Sequence, residues 1–137
     1  MNQRSNLEIV EEGYAAFGRG DIPALLDLMD ANVLWDVAGP TEMPWAGSFR
    51  GHAGLQEFFG TLDAELDIET FEPRTFVADG DKVVVLGFEK ARSKHTGRTY
   101  EAHWAHAFTL SGGVVTSFRE FTDTAAAVGV CREKVTT

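Results

Sequence analysis

The segment RTYEAHWAHAFTL-SGG-VVTSFREFTD, residues 98–123, predicts a β-hairpin. Residues 98–110 and 114–123 are rich in aromatic and β-branched side chains, which are typical of strands. The intervening Ser111-Gly112-Gly113 can form a tight turn because Gly tolerates a positive φ. We therefore expect two long neighbouring strands in the second half of the chain.

Alternate side chains of a strand lie on the same face, and this places polar groups among aromatic ones. The residues that could share one face of the hairpin are Trp104, His106, Phe108, Phe118, Glu120 and Thr122. If both sets point the same way, one mostly apolar surface carries an imidazole and a carboxylate.

Composition limits the classes of protein to which the chain can belong. With 137 residues and 44% hydrophobic residues, it has the size and core of one globular domain, expected over residues 1–137. The net charge of −9 without a Lys/Arg cluster argues against nucleic acid and anionic membranes as partners. No apolar run approaches the ~20 residues of a membrane span, and the N-terminus lacks the apolar core of a secretory signal. The single cysteine, Cys131, excludes an internal disulfide, so a cytoplasmic location is expected.

The first part of the chain has helical patterns. Ser5 and Glu8 match a capping box, and apolar residues at helical spacing follow over residues 7–17. Asp21 can cap a second, short helix that includes the apolar residues of 25–29. A third helix is expected over residues 52–66.

Strands are expected in the remaining segments. Residues 33–37 have the composition of a short strand, and a long loop over residues 38–51 follows it. Residues 70–78 and 82–90 flank Asp79-Gly80-Asp81, a typical hairpin turn.

Helices first and strands afterwards predict an α+β fold, with an antiparallel sheet packed on about three N-terminal helices. Residues 124–130 can add a short terminal helix. Ala105, Ala107 and Phe121 would lie on the outer face of the sheet, which is therefore partly apolar. We expect a homodimer through that sheet face.

Several motifs in this order resemble the nuclear transport factor 2-like superfamily, and most closely its SnoaL-like and ketosteroid-isomerase-like branch. The motifs are Gly20-Asp21-Ile22, residues 33–39, Phe49-Arg50-Gly51-His52, Trp104-Ala105-His106 and residues 118–123. The resemblance spans roughly residues 7–124. It implies a cone-shaped, strongly curved sheet around an apolar interior. Members include isomerases, cyclases, hydrolases, dehydratases and non-enzymes.

The resemblance also implies roles for individual residues. Asp36 matches the general base of the ketosteroid isomerases, and His106 falls where they carry the protonated aspartic acid of the oxyanion hole. Glu120 falls on a wall of the same pocket. The tyrosine of that oxyanion hole would fall at Gly13, one residue before Tyr14.

The residues themselves allow two interpretations of these polar groups. Asp36 could act as a base in an apolar cavity, or could bond the backbone amides of residues 38–39. Glu120 could orient His106 for a proton relay, or the two could form a structural hydrogen bond. The aromatic residues predicted to bind substrate are Tyr14, Phe17, Trp45, Phe58, Trp104 and Phe118, and Trp45 is the candidate lid.

These features predict an enzyme that transfers protons on a small apolar molecule, in an isomerisation or cyclisation, with Asp36, His106 and Glu120 as catalytic residues. No cofactor and no metal are expected, because the histidines are scattered and form no ligand motif. Two alternatives are a non-catalytic protein that binds a small apolar ligand and a dimerisation module with a filled core.

Overall fold

The computed structural model describes residues 5–132, so residues 1–4 and 133–137 of the predicted domain lie outside the described part. The helices are α1 (Asn6–Gly18), α2 (Ile22–Leu26), α3 (Gly51–Glu65) and α4 (Thr124–Cys131). The strands are β1 (Met29–Val37), β2 (Gly47–Arg50), β3 (Leu66–Asp79), β4 (Lys82–Ser93), β5 (Thr99–Ser111) and β6 (Val114–Thr122). The described residues therefore form the predicted α+β fold.

The N-terminal helices begin where their capping residues predict. The Ser5 hydroxyl accepts a hydrogen bond from the Glu8 backbone N–H, and the Glu8 carboxylate accepts one from the Ser5 N–H, each at 3.1 Å. At the start of α2 the Asp21 carboxylate accepts a hydrogen bond from the Ala24 backbone N–H. The prediction that the second helix includes Met29 is wrong, because α2 ends at Leu26 and Met29 opens β1. A short apolar run fits a buried helix and a buried strand equally well.

The six strands form one curved, unclosed sheet in the order β2-β1-β6-β5-β4-β3. All neighbouring strands are antiparallel except β1 and β6, which are parallel. The expectation of a wholly antiparallel sheet is therefore wrong at this one pair. β1 and β6 come from opposite parts of the chain, so no hairpin forces them to be antiparallel. The predicted loop over residues 38–51 also contains β2, a short edge strand paired with β1.

The hairpin of β5 and β6 confirms the predicted alternation. Gly112 and Gly113 have φ values of 60° and 83°, which only Gly adopts without strain. The residue pairs directly opposite each other on the inner face are Trp104–Thr122, His106–Glu120 and Phe108–Phe118. The imidazole and the carboxylate therefore lie side by side on neighbouring strands.

Helices cover the inner face of the sheet. α3 packs on β1 and β2, α1 reaches β3 and β4, and α4 packs on β5. Within this layer the Trp104 ring lies across Gly87 of β4, where a Cβ atom would be only 2.2 Å from the ring carbon Cζ2. Only Gly, which has no Cβ atom, can therefore occupy position 87 beside the Trp104 ring.

The outer face of the sheet carries exposed apolar side chains. Leu86, Ala105 and Phe121 lie opposite one another on three successive strands, and Leu86 and Phe121 are 48% and 49% exposed. Val77 and Val84 form a neighbouring pair that is also exposed. The predicted apolar outer face is therefore present.

Candidate functional site

A cavity of about 70 Å³ lies between the helices and the inner face of the sheet. This is several times the roughly 10–15 Å³ that one water molecule needs. Its walls are mostly aliphatic and aromatic. The ionisable side chains that line it are Tyr14, Glu89, Tyr100, His106 and Glu120. The cavity is thus an apolar container with a few polar groups, which is the usual composition of a small-molecule site.

Three of these polar groups form a continuous chain. The Tyr14 hydroxyl is hydrogen-bonded to His106 Nδ1 at 2.7 Å, and His106 Nε2 lies 3.3 Å from Glu120 Oε2, as in an ion pair. A carboxylate beside Nε2 favours the tautomer of the ring that carries its proton on Nε2. Nδ1 is then an acceptor, and Tyr14 donates to it. The structure therefore brings the predicted pair His106 and Glu120 together and adds Tyr14.

Tyr14 reaches the cavity, although the resemblance places the family tyrosine one residue earlier. Gly13 instead faces α2, where a Cβ atom would lie 3.5 Å from Leu25 Cδ1. The Tyr14 ring lies nearly parallel to the His106 ring, at 8° and a centroid distance of 5.9 Å. Burial, and then the charge of Glu120, raise the pKa of Tyr14 above its ordinary value. Tyr14 is therefore a neutral phenol that can donate at physiological pH.

Asp36 does not join this group. Trp35 points inward and lines the cavity, so its neighbour Asp36 points to the outer face of the sheet. There the Ser48 hydroxyl donates to the Asp36 carboxylate, and Arg119 Nη2 lies 3.5 Å from its second oxygen. The expectation that Asp36 shares a pocket with His106 and Glu120 is therefore wrong. Its partner is also not the backbone amides of residues 38–39.

The predicted aromatic residues divide into two groups. Those that line the cavity are Tyr14, Phe17, Trp45, Phe58 and Phe118. The prediction that Trp104 lines the cavity is wrong. Its ring stacks on the His106 ring at a centroid distance of 3.9 Å, with 16° between the planes. Trp104 therefore packs against the face of the imidazole. Trp45 lies in the segment between β1 and β2 and is buried, with 3% of its surface exposed.

Glu89 and Tyr100 were not predicted. Glu89 is only 8% exposed, and burial followed by the charge of Glu120 raises its pKa to about 8. Tyr100, on the next strand, also lines the cavity, and its pKa is raised by burial and then by the charge of Glu89. The inward alternation of β4 could have identified Glu89, but the run of four apolar residues from Val83 to Leu86 hides the parity of that strand.

Residues 5–132 contain neither a candidate metal site nor a membrane-spanning helix. In that range no group of three His, Cys, Asp or Glu side chains could hold a metal ion. None of the helices there is long and apolar enough to cross a membrane.

The chain belongs to the SnoaL-like domain family, whose model matches residues 10–118. This confirms the family predicted from the motifs. The fold is also similar to that of an NTF2-like protein from Burkholderia xenovorans LB400, at 38% identity and a TM-score of 0.86 over 96% of this chain and 99% of the other.

Two more relatives are similar along most of their length. TerC, which was co-crystallised with polyporic acid, is 29% identical with a TM-score of 0.81, over 92% of this chain and 97% of TerC. An uncharacterised protein of Mycobacterium tuberculosis is 28% identical over 124 residues, which is 88% of this chain and 91% of the relative. The fold is thus of the nuclear transport factor 2-like type.

Proposed function

We propose that this protein catalyses proton transfer, in an isomerisation or cyclisation, on a small apolar carbonyl compound bound in the cavity. One observation carries the proposal. The chain of Tyr14, His106 and Glu120, joined by a hydrogen bond and an ion pair, lies at the wall of a mostly apolar cavity. Such a chain can take up and return a proton without exposing a charge to the apolar lining.

The proposed step begins at the Tyr14 hydroxyl. Its oxygen takes a proton from the carbon next to the carbonyl group, while its own proton passes to Nδ1 of His106. The electron pair of the broken C–H bond moves onto the carbonyl oxygen. The positive charge that forms on the imidazole faces the Glu120 carboxylate, which stabilises it. Return of the proton to another carbon completes an isomerisation, and no cofactor takes part in the scheme.

In this scheme Tyr14 and His106 take the role of the base that was expected at Asp36. Asp36 is bonded to Ser48 and Arg119 on the outer face of the sheet, so it has no path to a ligand in the cavity. The substrate class follows from the lining, which is apolar and contains no Lys or Arg side chain among the described residues. Co-crystallisation of TerC with polyporic acid supports a carbonyl-bearing organic ligand.

The test is hydrogen–deuterium exchange at the carbon next to a carbonyl group, followed by NMR in D2O with cyclohexanone as the probe. We expect the protein to accelerate this exchange. The variants His106→Gln, Glu120→Gln and Tyr14→Phe should each slow it by roughly 10²-fold, the lower end of a general acid–base contribution. The matched control is His103→Gln, because His103 lies on the same strand but is exposed on the opposite face. If the three site variants exchange as fast as the control His103→Gln, the proposal is rejected.

A second candidate is a non-catalytic protein that binds a small apolar ligand. The enclosed, aromatic lining favours it, and TerC was likewise crystallised with an organic molecule. The two candidates differ in the exchange test, since a binding protein takes up cyclohexanone without accelerating exchange. A dimerisation module with a filled core is disfavoured by the cavity beside His106 and Glu120.

The proposal includes a homodimer. Its support is the exposed apolar row of Leu86, Ala105 and Phe121 on the outer face of the sheet, because such patches mark interfaces between chains. It also places the protein in the cytoplasm, since the lone Cys131 offers no internal disulfide. Recovery of the native protein from a membrane or secreted fraction would reject this location.

A further inference from the structure

Glu89 is a buried carboxyl group that the proposed proton transfer does not use. Glu89 is 8% exposed and lines the cavity, and its carboxyl group makes no hydrogen bond to any residue of the described range 5–132. Buried polar groups normally have a partner, because an unpaired one has lost its hydration without compensation. A group of this kind that faces a cavity therefore indicates that the partner comes with a ligand.

Glu89 lies farther along the sheet than His106, the middle member of the proton-transfer chain. In the register of β4 and β5, Val85 is opposite His106, and Glu89 is opposite Ala102. Four residues along a strand span ~13 Å. The Trp104 ring lies between the two positions, across Gly87. The cavity thus has two polar regions, separated along the sheet by an aromatic side chain.

Tyr100 is the second member of this other polar region. It is 7% exposed, lines the cavity, and its hydroxyl has no hydrogen-bond partner among residues 5–132. Tyr100 of β5 is opposite Ala91, two residues beyond Glu89 on the same face of β4. The charge of Glu120 from β6 also acts on Glu89. The pKa of Glu89 is raised to about 8 by burial and by Glu120, so its carboxyl group is neutral at pH 7. A neutral carboxyl group and a phenol both donate hydrogen bonds.

We propose that Glu89 and Tyr100 form a second subsite, which donates hydrogen bonds to a second acceptor oxygen of the ligand, distinct from the carbonyl group at which Tyr14 acts. The ligand class is thereby narrowed to compounds that carry two acceptor oxygens on an apolar frame. Tyr14 competes poorly for this oxygen, because its hydrogen is already donated to His106. The subsite rests on the proposed function only in assuming that this cavity is the ligand site.

The test compares the binding of two molecules of nearly the same shape, cyclohexanone and methylenecyclohexane, by NMR titration at pH 6.5. The wild type should prefer the ketone by roughly tenfold, the effect of one good hydrogen bond. Glu89→Leu should weaken the preference clearly, because only Tyr100 then donates, whereas Glu89→Gln should retain it because an amide still donates. Glu101→Gln is the matched control, since Glu101 is exposed on the neighbouring strand.

The pH dependence provides the second readout. At pH 9 the preference of the wild type for the ketone should weaken, because an ionised Glu89 no longer donates, while Glu89→Gln should keep its preference. The proposal is overturned if the wild type shows no preference at pH 6.5, if Glu89→Leu retains the full preference, or if Tyr14→Phe abolishes it. The readout is binding, so a subsite that behaves as expected in a protein without exchange activity would reject the proton-transfer function alone.

Discussion

Replacing Glu89 by Gln should stabilise the protein, and the gain should grow as the pH rises. The ordinary pKa of 4.5 is raised to about 8 in the folded protein, first by burial and then by the charge of Glu120. Between these two values the unfolded chain releases a proton that the folded protein retains. Folding is therefore opposed increasingly as the pH rises from about 4.5 to 8, and the penalty is constant above that. Gln has no proton to lose and removes the effect.

The magnitude follows from linkage. Each pKa unit corresponds to about 1.36 kcal/mol, so a shift of about 3.5 units is worth roughly 5 kcal/mol above pH 8. At pH 7 the penalty is roughly 3 kcal/mol, and at pH 5.5 it is roughly 1.5 kcal/mol. The difference in free energy of unfolding between Glu89→Gln and the wild type should therefore increase by about 3 kcal/mol from pH 5.5 to 8.5.

Urea denaturation at a series of pH values measures this difference directly. Comparing the two proteins at each pH cancels the groups that do not interact with Glu89. Tyr14 and Tyr100 have raised pKa values and do not titrate in this range. The control Glu101→Gln changes an exposed carboxylate and should give a nearly constant difference. A difference for Glu89→Gln that stays constant within about 0.5 kcal/mol would refute the account of a buried, protonated Glu89.

Two other substitutions test packing and assembly. Gly87→Ala should destabilise the protein by about 3 kcal/mol, because the new Cβ atom would lie 2.2 Å from a Trp104 ring carbon. Gly18→Ala, with open space at its Cβ position, is the control in urea denaturation. Equal stability of the two variants would contradict the packing of Trp104 on Gly87. Leu86→Glu, which adds charge to the exposed apolar row, should convert a dimer into a monomer in sedimentation equilibrium, and a wild type that is already monomeric would reject the homodimer.

Local chemistry made much of the fold predictable. The capping box of Ser5 and Glu8, the Asp21 cap and the glycine turn at residues 112–113 each depend on a few neighbouring residues. The facing pair of His106 and Glu120 followed from strand alternation and a short turn, which together fix the register of a hairpin.

The remaining features depend on contacts between distant segments. Whether Trp35 or Asp36 points inward is decided by the pairing of β1 with β6, which begins some 80 residues later in the chain. The parallel pairing of these two strands is also the reason why the sheet is not wholly antiparallel, as had been expected. Glu89 was not predicted because a buried carboxyl group is rare. Only the folded sheet shows that Glu89 lies on the inner face of β4. Local patterns therefore predicted the elements better than the site.

The central claim is that proton transfer depends on the chain of Tyr14, His106 and Glu120 and not on Asp36. The most direct measurement is the rate of deuterium incorporation into cyclohexanone by Glu120→Gln compared with Asp36→Asn. Both variants replace a carboxylate by an amide, but only Glu120 contacts His106. We expect a loss of roughly 10²-fold in Glu120→Gln and the wild-type rate in Asp36→Asn. The reverse result, with Asp36→Asn inactive and Glu120→Gln fully active, would contradict the account.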